Sequence, residues 1–239
     1  MSATSALILG FLLGLKHAVE ADHLAAVSTI VTEHSSLWRS SLVGALWGLG
    51  HSLALVPMAI AIVYLRIEIS PRLASALEMG VAVMLIGLAL NTFRKLAQGS
   101  TLHVHVHRHA GRRHLHPHFH AADHSPERAH VLAPHDDAAH GLSLRPIAVG
   151  MMHGLAGSAA LMLLVLSTIP EPVRAVLYVA VFALGSTLGM VGMSLLVGLP
   201  MRLTAIRFAR LNLALRGLAG CFSLVVGLTM VYQLLLAGA

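Results

Sequence analysis

Apolar positions along the 239 residues gather into six long runs, at about 6–32, 40–65, 73–93, 146–168, 173–199 and 211–236. Each is about as long as the roughly 20 residues a helix needs to cross the hydrocarbon core of a bilayer. The runs predict six spanning helices joined by short loops. Two places break the pattern. Within the first run, Lys16, His17, Glu20, Asp22 and His23 put ionisable groups among apolar ones, and between the third and fourth runs a polar segment covers 97–144.

Composition agrees with a membrane protein. Hydrophobic residues make up 56% of the chain and charged residues 11%, with a mean hydropathy of +0.79, against roughly 25% charged residues in a soluble domain. The first apolar run has no basic leader and passes straight into the polar cluster instead of a small-residue cleavage site, so no cleaved signal peptide is expected. Cys221 stands alone in an apolar stretch, which excludes an intramolecular disulfide and predicts a small buried side chain. The net charge of +6 does not point to nucleic acid, because the basic residues lie in loops between spans, where they set topology. Arg66, Arg72 and Arg174 fall on the side of the termini. Arg39, Arg94, Lys95, Arg145, Arg202, Arg207, Arg210, Arg216 and the arginines of the long loop fall on the other. The positive-inside rule then puts both termini outside and the long loop in the cytoplasm of a bacterial inner membrane.

That loop carries His103, His105, His107, His109, His114, His116, His118, His120, His124, His130, His135 and His140 with few apolar residues. It lacks the burial that would offset the entropy of ordering, so disorder is expected without metal. Closely spaced imidazoles wrap zinc, nickel, cobalt or copper, and their hold weakens as pH falls through about 6.5. The segment reads as a metal buffer or sensor and selects no single metal.

The spans also look duplicated. Gly14-Leu15-Lys16-His17-Ala18 is echoed by Gly150-Met151-Met152-His153-Gly154 at an offset of 136, Ala45-Leu46-Trp47-Gly48 by Ala183-Leu184-Gly185-Ser186 at 138, and Ile86-Gly87-Leu88 by Val226-Gly227-Leu228 at 140. Three spans per repeat would leave the halves in opposite orientations, with a site at their interface. The competing reading is ordinary small-residue helix packing. The expected fold is therefore an all-α membrane protein of about six transmembrane helices in two inverted three-helix repeats, 1–96 and 145–239, separated by a disordered His-rich loop, 97–144.

Ionisable groups in hydrocarbon are costly and mark substrate or ion sites, and imidazole with carboxylate suits divalent transition metals. On a straight helix His17, Glu20 and His23 share one face while Asp22 falls well off it. Either Asp22 serves as an outer or opposite-face group, or the helix unwinds near Gly14 and His17 so that the donors converge. The bland alternative pairs these groups with one another or with Lys16. His51, in Gly48-Leu49-Gly50-His51-Ser52, and His153, early in the fourth span, are further candidates for the metal path. Met151, Met152, Met190 and Met193 read as packing residues. Glu78, Asn91 and Gln233 are isolated polar spots.

His17-Ala18-Val19-Glu20-Ala21-Asp22-His23 resembles the His-x4-Asp-His signature of the nickel/cobalt transporter family. Leu49-Gly50-His51-Ser52 resembles its second-helix Gly-His-Ser motif, and His153-Gly154-Leu155-Ala156-Gly157-Ser158 is similar to a later motif of short, urease-associated nickel permeases. The resemblance implies a permease for Ni(II) or Co(II), with His17, Asp22, His23 and His51 essential, His17, Asp22 and His23 as the ligating set, and Glu20 as a fourth donor. It departs from the family at Glu20, where Asp is usual, and in having six spans where the best-known importers have about eight. A His-rich central loop in a short chain also resembles the efflux branch, so uptake is the expected direction and export the alternative.

The expected partners are the nickel or cobalt ion and the lipid bilayer, with cytoplasmic metallochaperones as candidates and no nucleic acid. No cofactor is expected beyond the transported ion, and no phosphate-binding loop occurs in the sequence, so any ATP would be used by a separate subunit. An intramembrane metallohydrolase is a remote alternative, and the sequence lacks a His-Glu-x-x-His helix motif. The protein is read as a non-enzyme.

Overall fold

In a computed structural model of the chain, which describes residues 3–33, 36–67, 69–98, 102–109, 112–119, 144–156, 169 and 171–237, the first predicted span is two helices. Helix α1 covers Ala3–His17 and α2 covers Ala21–Val31, and their axes bend by 55°. The ladder tightens before it stops. Val19 N–H donates to the Lys16 carbonyl and Glu20 N–H to that of His17, both at 3.0 Å. Glu20 is then extended, with φ −63° and ψ 152°, as the residue before α2. Of the two readings open at the first span, the unwound one is adopted, and the turn falls at Ala18–Glu20 inside the polar cluster.

Helix α3, Leu37–Leu65, runs through Pro57 and ends at Arg66, a non-glycine residue with φ 50°. Helix α4, Pro71–Ala97, starts with Pro71, whose missing N–H costs nothing at that position, and with the Ser70 hydroxyl accepting from Leu73 N–H at 3.2 Å. Helix α5 covers Arg145–Ala156, α6 Pro172–Arg207 and α7 Ala209–Ala237. Among the described residues four helices, within Leu37–Leu65, Pro71–Ala97, Pro172–Ala205 and Ala209–Ala237, are long and apolar enough to cross a membrane, and the bent α1–α2 pair, counted as one span, brings the candidates to five. The expected fourth span begins as α5, and its remainder at 157–168 lies outside the described residues. Leu53, Val83, Leu90, Leu184, Leu196 and Leu228 are exposed, the outward apolar surface of a protein whose solvent is lipid.

Bare backbone meets backbone where the helices cross. A Cβ on Gly14 of α1 would collide with the Phe182 carbonyl oxygen of α6, and one on Gly185 with that of Phe11. A Cβ on Gly150 of α5 would collide with the Trp47 carbonyl oxygen of α3, and one on Gly50 with that of Ile147. Small residues at such positions let apolar helices approach closely enough for dispersion to hold them. Helix α3 also packs on α6, and α4 on α7, while α2 rests on α6 and α7. At the α3–α6 contact the Ser52 and Thr187 hydroxyls stand 3.1 Å apart, and at the α4–α7 contact Ser223 donates to the Leu85 carbonyl at 2.9 Å.

Two expectations need correcting. Cys221 is exposed, because α7 is covered by neighbours on one side only. In the His-rich segment, β1 (Leu102–His109) and β2 (Arg112–Phe119) pair as an antiparallel ribbon with His103 opposite His118, His105 opposite His116 and His107 opposite His114. The His/Val alternation of residues 103–107 has the two-residue period of a strand, a signal that the polar composition of the segment masks. His120, His124, His130, His135 and His140 lie outside the described residues.

Candidate metal site

The break in the first span delivers His17 from the end of α1 and His23 from the first turn of α2 into the centre of the helix packing. His51 from α3 and His153 from α5 meet them there. All four side chains are buried, His23 and His51 completely. His17 lies 4.4 Å from His23 and 5.4 Å from His51 between ring centroids; His23 lies 5.6 Å from His51 and 4.7 Å from His153.

Most of the ring nitrogens have no hydrogen-bond partner. Both nitrogens of His17 and of His51, and Nε2 of His23 and of His153, are buried without one. Glu20 Oε2 comes within 2.9 Å of His17 Nδ1, an ion-pair distance without hydrogen-bond alignment. A buried polar atom left unpaired costs about 1–3 kcal/mol, so this cluster is expensive unless something fills it. A divalent cation would, because each bare nitrogen is a ligand. Donor atoms of His17, His23 and His51 lie within 4.8 Å of one another, and so do those of Asp22, His23 and His153.

Asp22 stands behind His23. Its Oδ1 accepts from the His23 backbone N–H at 2.9 Å and lies 3.0 Å from His23 Nδ1, while Oδ2 is 3.8 Å from His153 Nε2. Such a carboxylate fixes the proton on Nδ1 and turns Nε2, with its lone pair, toward a metal. Asp22 also sits in the first turn of α2, where the helix dipole favours negative charge. Glu20, half exposed, reaches only His17 and belongs to neither donor group. Met151 and Met152 are exposed and Met190 is buried, and Glu78 joins neither donor group found among the described residues.

Two aromatic residues wall the cluster. Trp47 stacks on His23 at 5.5 Å with 21° between the planes and meets His153 edge-on at 5.5 Å; Phe182 lies 5.4 Å from His17. Residue type alone did not single out either. Their signal was position: Trp47 lies one turn before His51.

The chain is 36% identical over 230 residues to urease accessory protein UreH of Bacillus sp. (strain TB-90), an alignment covering 96% of this chain and 92% of that protein. The chain belongs to the nickel/cobalt transporter family. With several helices long and apolar enough to cross a membrane, this family member is a multi-pass membrane protein, and the resemblance first visible in the His17–His23 motif extends over almost all of it. A shorter match, 33% identity over 87 residues, joins it to a high-affinity nickel transport protein of Cupriavidus necator, covering 36% of this chain and 25% of that one. No protein-family model matches the chain, and no solved structure does.

Proposed function

We propose that this family member is a permease that carries Ni(II), and Co(II) as a close competitor, into the cytoplasm. The observation that carries the reading is the set of unpartnered imidazole nitrogens of His17, His23 and His51 beside Asp22 at a broken span. Hydrated metal enters, exchanges water for these three imidazoles, and is released past His153. Binding requires neutral imidazoles and so opposes protonation, which couples metal movement to protons. In this reading Asp22 orients His23 while the ion sits among the three imidazoles, and Glu20 guards His17 from the half-exposed rim. The relative named as a high-affinity nickel transport protein supports nickel as cargo. Nickel and cobalt both accept N/O ligands, and the Irving–Williams order favours nickel modestly.

The packing supports two inverted three-helix repeats, residues 1–96 and 145–239. The contact of α1 with α6 has its counterpart in that of α5 with α3. Gly14 matches Gly150 at the offset of 136 read from the sequence. For the second and fifth spans, the corresponding seats of Gly50 on the Ile147 carbonyl and Gly185 on that of Phe11 favour 135 over the 138 of the sequence match, and the Ser52–Thr187 contact joins residues 135 apart. The bias of basic residues supports both termini outside and residues 97–144 inside, where the histidines of that segment buffer arriving metal.

The test is accumulation of nickel-63 and cobalt-57 in metal-starved cells expressing the chain, with and without His17→Ala at equal protein level. Accumulation above the empty vector that the mutation abolishes supports uptake. Accumulation below the vector, with a gain in metal resistance, establishes export instead. Indifference to His17→Ala removes the site assignment.

A further inference from the structure

His17 and His153 occupy matching places. Each lies three residues after a glycine, Gly14 or Gly150, that seats against the carbonyl of an aromatic residue on the helix it crosses, and each ring packs on that same aromatic, Phe182 at 5.4 Å or Trp47 at 5.5 Å. His23 stands between them, 4.4 Å from one and 4.7 Å from the other. It is also the one residue common to both donor groups found among the described residues.

The second group has its own signature. His153 Nδ1 lies 3.3 Å from the Val149 carbonyl oxygen, which can only accept, so the ring proton sits on Nδ1 and Nε2 keeps its lone pair. That nitrogen faces Asp22 Oδ2 at 3.8 Å. Two lone-pair donors thus face each other in a buried place, at a spacing that fits two ligands on one ion with bonds of about 2 Å.

We infer that the transported ion occupies two positions in turn, a three-imidazole position at His17, His23 and His51 and a carboxylate-bearing position at Asp22, His23 and His153, with His23 kept as a ligand during the transfer. The inference rests on the permease reading and adds an ordered route to it. Keeping one ligand throughout means that the ion exchanges its other ligands stepwise and never returns to bare, unhydrated isolation inside the bilayer, where an unpaired charge is costly. His17 belongs to the first position alone and His153 to the second alone, so passage from one position to the other carries the ion through the cluster. The neutral first position accepts the ion, and the anionic second position draws it on.

The experiment uses the full-length chain, purified and reconstituted, with Co(II) visible absorption reporting binding in detergent and nickel-63 flux reporting transport in liposomes. His153→Gln and, independently, His153→Asn are compared with His51→Ala, each checked for monodisperse elution. The expected result is Co(II) binding in the His153 variants close to wild type with flux reduced at least about tenfold, and in His51→Ala the same loss of flux with Co(II) still bound at the carboxylate-bearing position and its visible spectrum changed. If either replacement abolishes Co(II) binding, the four histidines hold one position and the relay is overturned, while the permease reading stands. Undiminished flux in either His153 variant also overturns it. A wild-type protein that moves no nickel in the same liposomes ends the permease reading and the relay together.

Discussion

Where α1 crosses α6, Gly14 and Gly185 bring two backbones together beside Phe182; where α5 crosses α3, Gly150 and Gly50 do the same beside Trp47. The packing at these two crossings is matched glycine for glycine and aromatic for aromatic. Their chemistry is not. His51 follows Gly50 on α3, whereas Ser186, a buried hydroxyl without a hydrogen-bond partner, follows Gly185 on α6. Asp22 and the paired turn at Ala18–Glu20 belong to the first half of the chain, and His153 is the second half's contribution to the donor cluster. The contrast teaches that close approach of helices and ligation of metal are separable demands. Glycine and aromatic positions satisfy the first at both crossings, and the imidazoles that satisfy the second are added unequally, His17 at one crossing and His51 with His153 at the other.

The largest expected effect breaks the chemical asymmetry. His51→Ala should lower nickel uptake by more than about a hundredfold, because even groups behind a ligand cost ten- to a hundredfold when removed. Ser186→Ala at the matching place should leave uptake near wild type, and a comparable loss there would show that Ser186 adds chemistry to the α1–α6 crossing. Next comes Asp22→Asn, which keeps the size of the side chain and removes the charge behind His23. Nickel affinity should fall by about ten- to a hundredfold, read by titration of the purified protein; unchanged affinity would reduce Asp22 to a helix-capping charge.

The structural symmetry is tested by Gly14→Val and Gly150→Val. Each forces a branched side chain onto a carbonyl oxygen, and overpacking of this kind costs about 1–3 kcal/mol. The two variants should lose thermal stability to a similar degree, and a large loss in one alone would separate the crossings. Ser52→Ala and Thr187→Val give the smallest effect. Hydrogen bonds between membrane helices average about 0.6 kcal/mol, so either change should lower the unfolding midpoint slightly, and the double variant should cost no more than the larger single one.

The sequence made the donors legible because ionisable side chains in an apolar run are rare for an energetic reason: His17, Asp22, His23, His51 and His153 stand out against hydrocarbon without any knowledge of their neighbours. The four long helices were legible for the same reason. The turn at Ala18–Glu20 was less so. Val19, Glu20 and Ala21 include neither glycine nor proline, so the stop comes from what surrounds the segment, and the helical wheel that separated Asp22 from His23 presumed a ladder that does not continue. The role of Trp47 depended on α5 arriving from 100 residues away. The β1–β2 ribbon was hidden because polar composition argued for disorder more loudly than two-residue alternation argued for pairing.

The turn in the first span bears on biogenesis as well. The bent pair emerges from the ribosome before the helices that pack on it, carrying Lys16, Glu20 and Asp22, and each Lys or Asp at a helix centre opposes translocon insertion by about 2.5–3.5 kcal/mol. Such a segment is retained in the bilayer only when later helices cover it. Its principal covers are α6 and α7, the latter ending at Ala237, so the donor cluster is assembled late in translation, and a nascent or truncated chain leaves it incomplete.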